Sequence, residues 1–416
     1  MAVSAEVAAN RLYRWNIPGY YLSRGIMFFR LWMPIWVIYL MQRRGLSLTQ
    51  VTFMNASFML TMALSEIPTG AVADAFGRRT SMIIGTTLLA LTYFLYARAP
   101  TFPFLMCVNL LWAISASFVS GAEQAFLYDS LSVLGRADDY PKIAGRVSMF
   151  AQGCMIAGGV LGGIVGSIDL ALPFVLTGVL GLMRSAVVLS LREPPRMGDR
   201  STSRRRRYKD TLRQAWRAMR ARTGLRYALA YASTIPLGMF AGVAVFLQPY
   251  ARSVGVPVAA MGLVLTGITG AGMLGSAAAA DVRQRLGERL ILVAGPVVIM
   301  TGFVMVATTR SPVGILFLGM VAFVSAALNP MLENIILRES PADTRATIMS
   351  AESFLFSIIL AGIMPVLGLI GDRFGLAVAF ITLGSAICTV LVPLASLWTR
   401  RGPTMTQLPV EGRAEA

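Results

Sequence analysis

The chain has 416 residues, of which 56% are hydrophobic and only 14% are charged, and its mean hydropathy is +0.66. So apolar a composition excludes a soluble globular protein, and the net charge of +17 must belong to loops between membrane segments rather than to a nucleic-acid surface. Histidine is absent, which excludes imidazole metal ligands, Ser-His-Asp triads and His proton shuttles. Any proton chemistry must therefore use carboxylates.

Long apolar windows predict the fold class. A helix that crosses the roughly 30 Å hydrocarbon core of a bilayer needs about 20 apolar residues. Twelve windows meet this requirement, which predicts an all-α, polytopic membrane protein. The predicted spans, numbered 1 to 12 in chain order, are residues 17–41, 47–73, 81–98, 103–130, 144–168, 171–191, 226–251, 257–281, 289–308, 312–337, 346–370 and 376–398.

The distribution of Lys and Arg predicts the orientation. These residues concentrate in the loops on one side of the spans, so the positive-inside rule puts both termini in the cytoplasm. We expect a monomer in a bacterial plasma (inner) membrane. The longest loop, 192–225, carries Arg204 to Arg207 and then, at helical spacing, Tyr208, Leu212, Trp216 and Met219. This pattern predicts an amphipathic helix lying on anionic lipid headgroups, with a docking site for a partner as the alternative.

The sequence repeats itself about half a chain later. Glu123 and Asp129 in span 4 correspond to Glu333 and Glu339 in span 10. After spans 2 and 8 the residues Asp74, Gly77, Arg78 and Arg79 correspond to Asp281, Gly287, Glu288 and Arg289. We therefore predict two pseudo-symmetric six-helix bundles, residues 1–191 and 226–399, joined by the basic linker 192–225 and followed by a cytoplasmic tail, 400–416.

The segment between spans 2 and 3 has a recognisable motif. Gly70-Ala-Val-Ala-Asp74-Ala-Phe-Gly77-Arg78-Arg79 resembles the loop signature of the major facilitator superfamily, and Glu66-Ile-Pro-Thr-Gly70 is similar to its drug-proton antiporter branches. The resemblance implies a twelve-span secondary transporter in which this loop is a conformational latch. Asp74 would then meet the cytoplasmic end of span 11, and Arg78 would reach Asp129 at the end of span 4. The alternative is an ordinary positive-inside loop.

A glycine-rich stretch in span 5 has two interpretations. Gly158-Gly159-Val-Leu-Gly162-Gly163 is similar to the antiporter signature GPxxGG, with Gly159 where that pattern has proline. The same glycines would also allow close packing between helices in lipid.

Four charged residues share one predicted depth in the membrane. Arg24, Glu66, Glu123 and Arg184 each lie about seven residues from the cytoplasmic end of their spans, roughly 10 Å deep. Charges at depth are costly, at about 2.5 to 3.5 kcal/mol each, so they face a partner or a cavity. The two carboxylates are candidate proton carriers or partners in structural ion pairs. In the second half the candidate proton carriers are Glu333 and Glu352, and Glu352 has Arg345 as an alternative ion-pair partner.

Arg30 lies deeper in span 1, near the bilayer centre, and no carboxylate of the first half is at its depth. This makes it the candidate cation of a substrate site. Its expected partners are an anionic substrate group or the aromatic faces of Trp32, Trp36 and Trp112. The alternative is a buried arginine satisfied by backbone carbonyls.

The leading functional hypothesis is a secondary transporter of a small amphipathic molecule that works by alternating access, with proton-coupled efflux ahead of organic-anion uptake. A lipid flippase shares these features. A sensor that does not transport is a further alternative. No enzyme motif is present, and the sequence predicts no catalytic residue, metal site or cofactor.

Overall fold

The computed structural model describes residues 12–195, 220, 222–341 and 344–401. These residues are almost entirely helical and form no strand. The all-α, polytopic fold class is therefore confirmed. The predicted amphipathic helix around Tyr208 and Trp216 and the end of the tail lie outside the described residues, as does most of the linker 192–225.

Most predicted spans are continuous helices. Spans 2 to 6 are Leu48–Phe76, Arg78–Arg98, Phe102–Val133, Tyr140–Ile168 and Leu172–Ser190. Span 7 is made of three pieces, Thr223–Thr234, the π-helix Gly238–Val245 and Leu247–Ser253. Spans 8 to 12 are Met261–Leu286, Glu288–Thr308, Gly314–Glu339, Arg345–Phe374 and Leu376–Arg401. Ten helices of the described chain are long and apolar enough to cross a membrane, and span 2, bent by 42° between Glu66 and Pro68, makes an eleventh.

Span 1 is broken, and the prediction of one continuous helix over 17–41 is wrong. A helix runs over Asn16–Phe28, residues 29–35 are irregular, and helical structure resumes as Trp36–Ile38 and the π-helix Tyr39–Arg43. Pro34 lies in the break, where it has no N–H to donate and disfavours helical geometry at the preceding residue. Hydropathy cannot register such a break, because the residues on both sides of it are apolar.

Equivalent glycines link two helix pairs, one in each half of the chain. Gly77 joins spans 2 and 3 with φ +107°, and Gly287 joins spans 8 and 9 with φ +76°. Positive φ strains residues that carry a side chain, so both turns require glycine. The matched turns fit the predicted duplication. We call the end of the bundle that carries both glycines the motif end, and the opposite end the far end.

The two halves are joined by hydrogen bonds at the far end. Asp372, near the end of span 11, accepts from the backbone N–H groups of Leu48 at 2.9 Å and Thr49 at 2.8 Å, and from the Thr49 hydroxyl at 2.6 Å. A carboxylate suits this position because it satisfies free N–H groups at the start of span 2 and faces the positive end of the helix dipole. One half thus caps a helix of the other.

The glycine-rich stretch of span 5 lies in the contact between the halves. A Cβ atom at Gly262, in span 8, would overlap the carbonyl oxygen of Gly159, and one at Gly162 would overlap that of Leu31 in the break of span 1. The backbones approach too closely here for any side chain, as in other helix contacts built on small residues. These glycines pack span 5 against spans 1 and 8.

Candidate functional site

A cavity of about 430 Å³ lies midway along the spans, between the two halves. Span 1, spans 2 to 4 and span 6 line it from the first half, and spans 7 and 8 line it from the second. Its lining is rich in aromatic rings and methionines: Trp32, Trp36, Phe58, Tyr93, Tyr96, Trp112, Phe240, Met27, Met33, Met59, Met62 and Met239. Such a surface contacts apolar and aromatic molecules of different shapes, because methionine side chains are flexible and polarizable.

Trp112 is the centre of an aromatic cluster in this lining. Its ring centroid lies 4.6 Å from that of Trp32, 5.1 Å from that of Tyr93 and 5.8 Å from that of Phe58, each pair meeting edge to face. This geometry is favourable for aromatic pairs and holds the rings in place. All three tryptophans predicted to bind substrate, Trp32, Trp36 and Trp112, line the cavity.

Arg30 also lines the cavity, within the broken part of span 1. Its Nε donates to the carbonyl oxygen of Met27 at 3.3 Å, and its guanidinium carbon lies 5.0 Å from the Phe28 ring centroid. Among the described residues no carboxylate forms an ion pair with it. The charged residues of the described lining are Arg30 and Arg184. Arg184 has a carboxylate partner beside the cavity, Glu123, whereas Arg30 has none among the described residues.

The structure brings three of the four charges at one depth together. Glu123 is 1% exposed and lies between two arginines, with its Oε2 2.6 Å from Arg24 Nη1 and its Oε1 accepting from Arg184 Nη2. Arg184 also donates from Nε to the Ser23 hydroxyl at 3.2 Å. Two cations thus share one anion beside the cavity.

Glu66 is not part of this cluster. Its side chain is exposed, next to the bend of span 2, and forms no ion pair with a described residue. A depth match fixes only the position along a helix, whereas each residue turns the side chain by about 100° around the axis. Glu66 has the depth of Glu123 but points elsewhere.

The two carboxylates predicted in the second half form no ion pair with a described residue. Glu333 is exposed and Glu352 is half-buried, and the two carry like charges. Within the described chain Glu352 forms no ion pair with Arg345, whose Nε instead donates to the carbonyl oxygen of Leu337 at 3.1 Å.

The motif between spans 2 and 3 is anchored within the first half. Arg78 forms an ion pair with Asp129, as the resemblance implies, and its guanidinium also donates to the carbonyl oxygen of Ala125. Arg79 Nη2 donates to the carbonyl oxygen of Leu189 at 2.6 Å. Gly70 lies within the helix of span 2, and Asp74 is exposed in its last turn. The contact of Asp74 with span 11 stays a prediction.

Glu193, which no sequence motif singles out, completes this anchor. Its two carboxylate oxygens accept from the backbone N–H groups of Arg78 and Arg79, both at 2.7 Å. The free N–H groups at the start of span 3 are thereby satisfied. The predicted linker 192–225 includes Glu193, and an acidic residue just after span 6 in this basic segment is the signal that could have identified it.

In the described residues two six-span halves surround one cavity and are hydrogen-bonded to each other at the far end, which is the architecture of two-bundle secondary transporters. The family model "Major Facilitator Superfamily" matches residues 21–358, so the chain belongs to this family. It is an integral, multi-pass membrane transporter and not an enzyme. The family predicted from the loop motif is confirmed.

Sequence relatives include two resistance proteins. Multidrug resistance protein 1 of Bacillus subtilis (strain 168) is 30% identical over 158 residues, which cover 38% of this chain and 40% of the relative. Quinolone resistance protein NorA of Staphylococcus aureus is 23% identical over 164 residues, 39% of this chain and 41% of the relative. The matches therefore span about two fifths of these relatives.

Solved structures match over nearly the whole chain. A bacterial homologue of the human lysosomal transporter Spinster, in an inward-facing and unoccupied conformation, superposes with a TM-score of 0.74 at 16% identity, covering 93% of this chain and 97% of that one. The nucleoside transporter NupG gives a TM-score of 0.70 at 14% identity, covering 93% and 98%. These likenesses establish the fold.

Proposed function

We propose that this transporter exports a small amphipathic molecule by alternating access, in exchange for protons. The observation that carries the proposal is the cavity shared by the two halves, with its lining of aromatic rings and methionines. The resistance relatives add support for export, because their names describe drug resistance.

The hydrogen bonds at the far end support a conformational state that is closed at that end. If the motif end faces the cytoplasm, as the Lys and Arg distribution predicts, Asp372 and span 2 close the side away from the cytoplasm. Export then requires these contacts to separate so that the cavity opens at the far end. We propose a monomer in a bacterial inner membrane, with both termini cytoplasmic and the linker on lipid headgroups.

Four carboxylates are candidates for the coupling site. Glu123 is poorly suited to bind and release a proton. Protonation would remove the negative charge that Arg24 and Arg184 share in a buried site. We therefore propose Glu123 as a structural counter-ion and Glu66, Glu333 and Glu352 as the carriers to test. Of these, Glu352 is half-buried, and burial favours the uncharged form of a carboxyl group.

Transport in reconstituted vesicles tests the proposal. A fluorescent aromatic amphiphile is placed outside inside-out vesicles, and its uptake is measured with and without an imposed proton gradient. We expect uphill uptake with the gradient, and loss of the gradient effect in at least one of Glu66→Gln, Glu333→Gln and Glu352→Gln. The matched control is Glu288→Gln. Glu288 Oε1 lies 2.8 Å from Arg283 Nε, and neither residue lines the cavity. Equal uptake with and without the gradient in the parent protein would contradict proton coupling.

Organic-anion transport is the second candidate, and Arg30 favours it. Arg30 is a permanent cation in the cavity lining that has no carboxylate partner among the described residues, and a substrate carboxylate can supply the missing ion pair. Arg30→Ala should then weaken binding of an aromatic carboxylate more than binding of its neutral amide. Arg30→Lys should restore only part of the affinity, since an ammonium keeps the charge but not the two-pronged geometry.

Calorimetry on purified protein measures these affinities. Arg98→Ala is the control, because Arg98 is exposed at the far-end terminus of span 3 and does not line the cavity. Equal losses for the acid and the amide in Arg30→Ala would make Arg30 a structural residue and would favour export of neutral or cationic amphiphiles.

A further inference from the structure

The break in span 1 is bridged by a side chain from the other half of the protein. Gln248, in span 7, donates from Nε2 to the carbonyl oxygen of Met33 at 3.0 Å. Its Oε1 accepts from the backbone N–H groups of Val37 at 2.9 Å and Ile38 at 3.4 Å. One carboxamide therefore serves three backbone groups of span 1.

These backbone groups are not an arbitrary set. Met33 and Val37 are four residues apart, so the Met33 carbonyl and the Val37 N–H would bond to each other in a continuous α-helix. The Gln248 carboxamide lies between them and makes both bonds instead. Insertion of a side chain into the helical hydrogen-bond ladder is one of the physical causes of a sharp kink.

The contact is buried, so its loss would raise the free energy of the closed state. Gln248 is 4% exposed, Val37 is 0% exposed and Ile38 is 2% exposed. Buried backbone N–H and C=O groups that lose their partners keep the full cost of their desolvation. Without the Gln248 carboxamide, the Met33 carbonyl and the Val37 N–H would have to find each other or stay unpaired.

The bridged segment also carries the cavity. Arg30, Trp32 and Met33 lie in the break and line the cavity, as Gln248 itself does. Span 1 belongs to the first half and span 7 to the second. Any motion that separates the halves at the far end must therefore break the Gln248 contact or move the segment that holds Arg30.

We propose that Gln248 is a positioning residue that holds the broken segment of span 1 against span 7 and stabilises closure of the far end. The inference rests on the proposed alternating access. When the far end opens, the Met33 and Val37 groups are released to water or to each other, and the segment that carries Arg30 and Trp32 is freed at the same step.

Distance measurement between spin labels tests this role. Labels are placed at Arg98 and Arg310, two exposed positions at the far end of the first and second halves. All variants carry serine at the free cysteines Cys107, Cys154 and Cys388. In Gln248→Met, which keeps the side-chain length but makes no hydrogen bond, we expect the ratio of long to short distances to rise about tenfold.

Two further variants make the result specific. Gln248→Glu keeps the acceptor for Val37 and Ile38 but sets a carboxylate oxygen against the Met33 carbonyl oxygen, so it should shift the ratio in the same direction as Gln248→Met. Gln152→Met removes an amide whose oxygen has no hydrogen bond among the described residues, and it should leave the ratio unchanged. If Gln248→Met does not fold, the shift in Gln248→Glu carries the test.

The outcomes separate this inference from the proposed function. A parent protein that shows a single far-end distance under all conditions, including an imposed proton gradient, would contradict alternating access itself. A parent with two distances and Gln248 variants that match it would overturn the role of Gln248 and leave alternating access in place.

Discussion

Replacing Glu123 with glutamine tests whether the buried charge cluster is structural. The amide keeps the size of the side chain but removes the negative charge between Arg24 and Arg184. It also replaces one acceptor oxygen with an NH₂ group, which cannot accept from a guanidinium. We expect a marked loss of stability, because the Arg184 side chain is 4% exposed and would lose its counter-ion.

The burial of each arginine determines how much the free energy of unfolding falls. Removing one member of a buried ion pair costs about 3 to 5 kcal/mol. The Arg24 side chain is 22% exposed, so water compensates part of its loss, and the greater part of the cost falls on Arg184. We therefore expect the free energy of unfolding to fall by about 3 kcal/mol in Glu123→Gln and by about 1 kcal/mol in Arg24→Gln, where Arg184 still neutralises Glu123.

Unfolding in mixed detergent micelles, followed by tryptophan fluorescence, measures these differences. Glu66→Gln is the matched control, because it makes the same chemical change at an exposed side chain and should stay within about 0.5 kcal/mol of the parent. The double variant Glu123→Gln with Arg184→Met should lose less than the sum of the single losses, since the second change removes the unpaired cation.

Two results would refute this reasoning. If Glu123→Gln is as stable as Glu66→Gln, the ion pairs do not stabilise the fold. If Glu123→Gln also transports normally but without response to a proton gradient, Glu123 is a proton carrier and the assignment as a structural counter-ion is wrong.

Three other predictions concern contacts elsewhere in the bundle. Asp74→Asn and Arg78→Ala should insert normally but slow transport in reconstituted vesicles, and parental rates in both would contradict the latch. Gly262→Val should raise the fraction of protein that is open at the far end, measured by spin-label distances, because the valine side chain would overlap the Gly159 carbonyl oxygen. An unchanged distance distribution would show that the contact between spans 5 and 8 accommodates the side chain. Glu193→Gln should lower the free energy of unfolding by about 1 kcal/mol in denaturant titrations, since the cap on span 3 loses its charge, and equal stability would show that the cap is dispensable.

Hydropathy predicted the spans well because lipid imposes one requirement on each of them. Span 3 was predicted over 81–98 and is the helix Arg78–Arg98, and span 6 was predicted over 171–191 and is Leu172–Ser190. Span 2 continues past its predicted end at residue 73 to Phe76, since a helix can carry Asp74 beyond the apolar window. Apolar composition therefore locates the part of a helix that lies in lipid, whereas the end of span 2 is set by the backbone turn at Gly77.

The charged sites were only partly predictable, because depth and face are separate quantities. Counting about seven residues from the cytoplasmic end of each span predicts one depth for Arg24, Glu123, Arg184 and Glu66. In the structure only the first three form ion pairs with one another. Which face a residue occupies depends on how each helix is rotated in the bundle. That rotation is set by packing between helices distant in sequence, and a single sequence does not contain it.

The break in span 1 shows most clearly what the sequence lacked. Proline alone does not explain it, because span 2 bends at Pro68 but stays helical, and four other prolines lie inside continuous helices of the described chain: Pro296, Pro330, Pro365 and Pro393. At Pro34 the Gln248 carboxamide takes up backbone groups that the break leaves unpaired. A helix opens within an apolar span at less cost where such a partner is present. The partner here comes from the other half of the chain, so the break is a property of the assembled pair of bundles, and separation of the halves should alter it.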